Sequence, residues 1–450
     1  MAQQEARTER IAAAIDRVDG VRPGAGPPTT KHRRMLESPY RFLRGSAQLF
    51  YADLADGALR LPAGFDTPAC TTAVLGDCHM GNFGFVTEKG SHGRHIAFVP
   101  TDFDEACIGR AGWDLMRLSV SLFVGAELAR GILAGRYATD AFADLDGLAA
   151  ASADDAEAAV RACLDSYAET CRRVIDNPMV RRTTLDRFAR RHPLRRYLKK
   201  ARKRAIGGKK FERKSSLGKA AASGPNGLCF RERPNRYRRL EPALEESARA
   251  AFRPYVDDTI LDIIERLGQG TGSLELPRYY LLVGREGAIG TAGLAMAQVV
   301  EAKQQRVAAP VHAFPDLDPR NSLGAAHLTV HIQRRVQREP DLLLDQMEWQ
   351  GAHWLIRSRH HARVSAEPEE ICLAKRHVGQ RMRDYAVACG TAAALAHARG
   401  DNRSVRFETA MADALDRERD ALIENARRYA EQVVADWRCF GRLMDRSGDG

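Results

Sequence analysis

Apolar positions along the chain change period several times, and each change predicts an element. In HRRMLESPYRFLRGSAQLFYADLA the apolar residues Phe42, Leu49 and Phe50 share one side of an amphipathic helix that follows a turn at Ser38-Pro39. Thr72–Leu75 and His95–Val99 are short β-branched or apolar runs ending in Gly-Asp and Thr-Asp, which predicts two strands, each delivering an aspartate at its end, with Gly90–Gly93 as the turn between them. Helical spacing returns from Trp113 to Ala129, and helices are expected through Asp140–Ile175, at Ala243–Ala251 and at Asp257–Leu267. The stretch GQGTGSLELPRYYLLVGREGAIGTAGLAMAQVVEAK alternates as a sheet does: a glycine turn, a strand at Tyr279–Val283, a loose connection and a strand at Ala295–Glu301. Trp354–Arg357 adds a further strand, and Lys375–Arg399 and Arg406–Trp437 read as long amphipathic helices. No internal repeat is present.

These elements divide the chain into a flexible lead-in over 1–30, ending in VRPGAGPPTT, and a helical part over 31–190 that carries the acidic loops. An insertion or linker follows over 191–242, then a smaller β-rich lobe over 243–365 and C-terminal helices over 366–450 that pack on the larger lobe. The fold class expected is α+β, with two lobes and the helix-rich lobe the larger. At 450 residues, 44% hydrophobic and 28% charged, the chain has ample apolar content for two or more packed lobes.

No stretch approaches the roughly 20 apolar residues of a membrane span, and the start MAQQEARTER is too polar for a secretory signal. A cytoplasmic protein without a membrane partner is expected. Nine cysteines are scattered without a C-x-x-C pair, so they read as buried small hydrophobes or free thiols. The net charge of +11 is local: Arg195–Lys219 holds twelve Lys or Arg against the single acid Glu212. Such a segment is either a solvated loop or exposed helix, or a surface for a polyanion.

The chemistry is concentrated in Gly76–Asn82 and Thr101–Glu105. GDCHMGN sets Asp77 and Asn82 five residues apart on a loop after a strand. Phosphoryl transfer to a hydroxyl needs a carboxylate to orient the attacking oxygen and take its proton, and oxygen ligands for a divalent ion on the phosphates. Asp77 suits the first role; Asn82 and Asp102 suit the second, with Asp104 assisting. Asp and Asn also make turns and cap helices, but two strand-terminal acidic loops followed by GWDLMRL form a specific constellation. His79 and Asp114 are expected to order the loop by hydrogen bonds, and Arg44 either faces the site or pairs with an acid. His353, His360 and His361 lack the accompanying ligands of a metal site and read as surface residues.

Gly76-Asp77-Cys78-His79-Met80-Gly81-Asn82, Thr101-Asp102-Phe103-Asp104 and Trp113-Asp114-Leu115-Met116-Arg117-Leu118 together resemble the run in aminoglycoside phosphotransferases and choline-kinase-like enzymes. There the matching Asp is the catalytic base, and the Asn and the next Asp bind metal. More closely, SPYRFLRGSAQLFYADLA, GDCHMGNFG, DFDEA with WDLMRL, and GTGSLELPRYYLLV look like the bacterial family catalogued as domain of unknown function 2252, a resemblance spanning most of the chain. It implies a protein-kinase-like fold with ATP and Mg²⁺ as cofactors and a circularly permuted lobe order, because the glycine-rich hairpin follows the catalytic loop. Gly268, Gly270, Thr271, Gly272 and Ser273 would then lie over the nucleotide phosphates. The resemblance also implies a lysine just before a Glu-Ala pair, where this chain has Val300 before Glu301-Ala302. Lys303 lies three residues on, and strand alternation turns it to the opposite face. Lys303 or an arginine such as Arg357 takes the role, or the chain binds nucleotide weakly.

The expected function is a kinase-like phosphotransferase acting on an unknown small-molecule or protein acceptor. The alternatives are a non-catalytic kinase-like scaffold that presents its basic segment to nucleic acid or an acidic partner, and a metal-dependent phosphoesterase, for which no Gly-Asn-His-Glu or Gly-Asn-His-Asp string exists.

Overall fold

Helix α1 (Ala2–Asp19) buries Ile11, Ala12, Ala14 and Ile15 along one side, the stripe of an amphipathic surface helix. Its Arg7 bridges the buried carboxylates of Asp53 (2.7 Å) and Asp436 (2.8 Å), so this part of the expected flexible lead-in is a docked element instead. The computed structural model describes residues 2–225, 227–268, 276–401 and 403–445. Ser38 caps α2 (Pro39–Gly45) by accepting the Arg41 N–H, with Pro39 at the first helical position. The single helix expected beyond that turn is broken at Ser46, whose hydroxyl donates back to the Phe42 carbonyl (2.7 Å) before α3 (Ala47–Ala55) begins.

Four short strands follow: β1 (Thr71–Val74), β2 (Phe83–Thr87), β3 (Ile96–Pro100) and β4 (Cys107–Arg110). β1 pairs with β4 and β2 with β3, both antiparallel. The Gly90–Gly93 turn therefore joins β3 to β2, not to β1. Helix α4 (Ala111–Leu133) is almost wholly buried. Helix α5 (Ala153–Asp176) starts later than expected because Ser152 and Asp155 form a capping box there.

The basic insertion is ordered: α6 (Leu194–Arg204), α7 (Phe211–Lys214), α8 (Ser216–Ala220) and a hairpin of β5 (Ala221–Gly224) with β6 (Gly227–Phe230). After β7 (Tyr237–Arg238) and α9 (Pro242–Phe252) comes β8 (Ile260–Arg266). This segment was expected as a helix; β-branched Ile260, Ile263 and Ile264 pair with β9, while Glu265 and Arg266 also pair with β7, and this favours the strand. β9 (Arg278–Val283), β10 (Gln298–Gln305), helix α10 (Ala325–Val336), β11 (Leu344–Trp349) and β12 (Ala352–Ser358) complete the unit. The result is one antiparallel sheet of order β11-β12-β10-β9-β8-β7. β13 (Val364–Ser365) returns to pair with β2, and α11 (Val378–Asp401) and α12 (Arg406–Asp445) close the helical body.

The sheet has cores of its own. One face, with Ile263, Leu281, Val300, Ala302 and Ile356, is covered by Ala248 and Phe252 of α9. On the other face, Ile264, Tyr280, Leu282 and Val299 pack under Phe211, Leu217 and the β5–β6 hairpin. Glu301 and Lys303 alternate with Val300 and Ala302, and so belong to this second face. Helix α10 joins sheet to body: Leu328, Ile332 and Val336 enter the large core, while Val330 packs on Leu344 and Leu355 of the sheet. All nine cysteines are free, and eight are buried. Among the described residues no helix is long and apolar enough to cross a membrane.

His361 is not at the surface as expected. It is buried between the rings of Phe211 (5.4 Å between centroids) and His92 (5.8 Å), and burial pushes its pKa down to about 3. The unfolded chain takes up a proton at such a group near pH 6.5, the folded chain only near 3, so stability is lost as pH falls through that window. His361→Phe is expected to keep stability at pH 7 and to flatten the fall between pH 6.5 and 4 by about 1.4 kcal/mol per pH unit, one proton's worth, measured by urea unfolding at each pH.

Candidate functional site where the sheet meets the acidic loops

The loop after β1 is shaped by backbone anchors. Gly76 has φ +75°, and a Cβ there would lie 1.7 Å from the Glu105 carbonyl oxygen, so only glycine fits. Asp114, in the first turn of α4 and fully buried, accepts the N–H of Leu75 (2.7 Å) and of Gly76 (3.0 Å), and its carboxylate also meets His397 Nε2 at 2.9 Å. Tyr51 donates its hydroxyl to the Gly76 carbonyl (2.6 Å). His79 turns inward: its Nδ1 accepts the Gly81 N–H (3.1 Å), and burial drives its pKa down to about 3, so it is a neutral acceptor. Both residues order the loop, as their positions in the sequence suggested.

These anchors fix Asp77. Its Oδ1 accepts from Arg117 Nε at 2.6 Å, while Oδ2 stands 3.7 Å from His79 Nε2, beyond hydrogen-bond reach. Burial alone would raise the Asp77 pKa, but the charge and hydrogen bond of Arg117, with a smaller pull from Arg44, outweigh it and hold the carboxyl below its usual range. Arg117 is itself fully buried, donates to the Leu43 carbonyl (2.8 Å) and lies over the Phe50 ring. It was not singled out from the sequence. Its spacing from Asp114, three residues on one helix, was the available signal, because i and i+3 face the same way.

The β2–β3 hairpin brings the next two groups together. Phe83 pairs with Pro100, so Asn82 and Thr101 stand side by side where the strands end, and the Thr101 N–H and hydroxyl both donate to the Asn82 carbonyl (2.9 and 3.1 Å). Asn82 Nδ2 in turn donates to the Asp77 carbonyl at 2.9 Å. Asp102 follows directly. Burial and the neighbouring Asp104 charge raise its pKa, against the pull of Lys303, Arg357 and Arg363.

Asp104 pairs with Lys303 of β10, a contact from loop to sheet. Burial opposes both charges; the cations Lys303 and Arg357 nevertheless bring the Asp104 carboxyl below its usual range, while burial lowers the Lys303 pKa. Val300 lies on the α9 side of the strand, among apolar residues. The lysine at an odd offset from Val300 is thus on the face that meets the acidic loops, with no bulge required. Beside it Glu301, 2% exposed, binds Arg357 (2.9 Å) and lies within 3.4 Å of Arg278 and 3.7 Å of Arg359. Five cations, Arg278, Lys303, Arg357, Arg359 and Arg363, thus crowd three carboxylates, Glu301, Asp102 and Asp104. Arg44 forms no ion pair with a described residue, and its charge helps to lower the pKa of both Asp77 and His79.

Gly268 lies in the left-handed region (φ +65°), and its carbonyl accepts from Arg34 of the helical body (3.1 Å). Gly270, Thr271, Gly272 and Ser273 lie outside the described residues. Among the described residues no group of three or more His, Cys, Asp or Glu is arranged to hold a metal. Asp102, Asp104 and Asn82 fit Mg²⁺ in another way: they are hard oxygen donors, and Mg²⁺ takes one or two carboxylates and fills its shell with phosphate and water.

These elements define an α+β protein with a buried carboxylate site at the meeting of a helical body and an antiparallel sheet. The chain belongs to the family described as "Uncharacterized protein conserved in bacteria (DUF2252)", whose model matches residues 28–134 and 147–443. No curated protein and no solved structure matches it.

Removing the central anchor tests how the loop is held. Asp114→Ala strands two backbone N–H groups and His397 in the core, and is expected to cost about 3 kcal/mol or more in urea unfolding.

Proposed function

We propose that the protein is a protein-kinase-like phosphotransferase that moves a phosphoryl group from ATP, with Mg²⁺, to a hydroxyl acceptor. The observation that carries this reading is the contact of Lys303 with Asp104, which sets a strand lysine against the acidic loops. The order of parts supports it as well. A glycine-rich stretch of sequence between β8 and β9, a lysine on the next strand β10 and, after a short helix at Ala309–Ala313, helix α10 come in the order of the glycine-rich loop, strand lysine and helix of protein kinases. Asp77 and Asp102 precede all of these in the chain, which is the permuted order.

On this reading Arg117 keeps Asp77 ionised and holds Oδ1, leaving Oδ2 to orient the acceptor hydroxyl and take its proton. Asn82, Asp102 and Asp104 would hold Mg²⁺, which would supply positive charge to offset that of the phosphates. Lys303, released from Asp104, and the arginines around Glu301 then face the phosphoryl oxygens, where charge accumulates in transfer.

One observation favours a second reading, a non-catalytic kinase-like binding protein. In active kinases the strand lysine pairs with a glutamate of the following helix, whereas α10 carries no acidic residue. Calorimetry separates the two. Wild-type protein is expected to bind ATP only with Mg²⁺, Asp102→Ala to lose that binding, and Lys303→Met to weaken it roughly tenfold or more, about 1.4 kcal/mol. No binding at millimolar nucleotide would overturn the phosphotransferase reading.

A further inference from the structure

The basic insertion takes no part in the site chemistry, yet it is built on a fixed scaffold. Helix α6 buries Leu194, Tyr197, Leu198 and Ala201, which turns Lys199, Lys200 and Lys203 to solvent. Phe211 and Leu217 anchor α7 and α8 to the sheet, with Lys214 and Lys219 exposed above them. The insertion therefore spans both halves of the molecule, since α6 rests against β2, β3 and β13 of the body.

Most of its cations have no side-chain partner among the described residues. Arg196 lies 3.4 Å from Glu370, and Arg202 donates to the Asp186 carbonyl, but the exposed Lys199, Lys200, Lys203, Lys214 and Lys219 form no side-chain hydrogen bond or ion pair with a described residue. Glu212, the single acid, is exposed and pairs with none of them. Lys200 and Arg204 of α6, Lys214 of α7, Lys219 of α8 and Arg233 beyond β6 converge closely enough that, besides burial, their charges lower the Lys219 pKa. Like charges held together on rigid helices repel, and a polyanion removes that repulsion.

The chemistry of the face selects the polyanion. Protein partners seat an apolar, often aromatic, core, whereas Ile206 is the one large apolar side chain exposed among the described residues of the segment. Nor is an exposed aromatic ring present there on which a base could stack. A phosphate backbone needs only cations, and α6, about 16 Å long, spans roughly nine duplex charges at one per 1.7 Å. We propose that the face built by α6, α7 and α8 binds a nucleic-acid duplex through its phosphate backbone without reading its sequence. The surface is independent of the phosphotransfer reading and requires neither ATP nor Mg²⁺.

Fluorescence anisotropy of the full chain with a labelled duplex of about 20 base pairs tests this. Neutralising about five phosphates gives a log–log salt slope near −4.5, roughly a 500-fold weakening between 50 and 200 mM salt. The triple variant Lys200→Glu, Lys214→Glu, Lys219→Glu is expected to lower affinity at least tenfold and to flatten the slope by about 3. The same positions changed to Gln keep the test open if charge reversal disturbs folding. Reversing the exposed Arg60, Arg438 and Arg442, in the groove between α1 and α12, changes net charge equally and is expected to leave binding within about twofold of wild type. No binding at 50 mM salt, equal loss from both triples, or poly-glutamate binding as tightly as the duplex would each overturn the proposal.

Discussion

Lys303 and Asp104 meet between sheet and loop with little access to water, and much of the junction depends on that pair. Breaking a buried ion pair by removing one member costs about 3–5 kcal/mol, because the survivor is left uncompensated. Strand β10 therefore has one register that serves it: a shift of a single residue would turn Glu301 and Lys303 to the α9 side and bring Val300 against carboxylates. The next residues of the chain repeat the arrangement. Arg306 reaches Glu105 (2.9 Å) and Asp19 at the end of α1, and Glu105 also accepts the Ala309 N–H (2.6 Å). Sheet, acidic loop and N-terminal helix are thus joined through charges, and Asp19 is held further by Lys31 and Gln48.

The arginines around Glu301 carry the same logic one step further. A single carboxylate among Arg278, Arg357 and Arg359 is held ionised against the cost of burial. On the proposed phosphotransfer, the forked guanidinium donors would also suit a phosphate. Arg117 acts in the opposite sense, because its partner Asp77 is already present, and its burial fixes one carboxylate oxygen so that the other is left to act.

Much of this was legible in the sequence where chemistry and local pattern coincide. The Asp77–Asn82 loop, the strand-ending Asp102, the ordering roles of His79 and Asp114 and the long helices α4, α11 and α12 all follow from residue type and spacing. The failures have a common cause in tertiary pairing. Ile260–Arg266 carries helix-compatible spacing, yet hydrogen bonds to strands on either side make it a strand. The β2 strand begins immediately after the loop residues and was absorbed into them. His361 looks polar in isolation, but Phe211, some 150 residues away in the chain, buries it. The face on which Lys303 lies could not be fixed by alternation alone, because alternation says that two residues differ, and only the packing of α9 on Val300 says which one points away from the acidic loops.

The helical body is closed by helices far apart in sequence, α1 and α12. Arg7 of α1 and Tyr429 of α12 both donate to Asp53, and Arg7 also donates to Asp436 of α12, while the sheet is made from the continuous segment 237–358. During synthesis, then, the sheet can form with its own cores before α12 has left the ribosome, whereas the body carrying Asp77 and Asp104 gains its α12 contacts only after that helix emerges. The two halves that meet at the site are thus completed at different times, the sheet first.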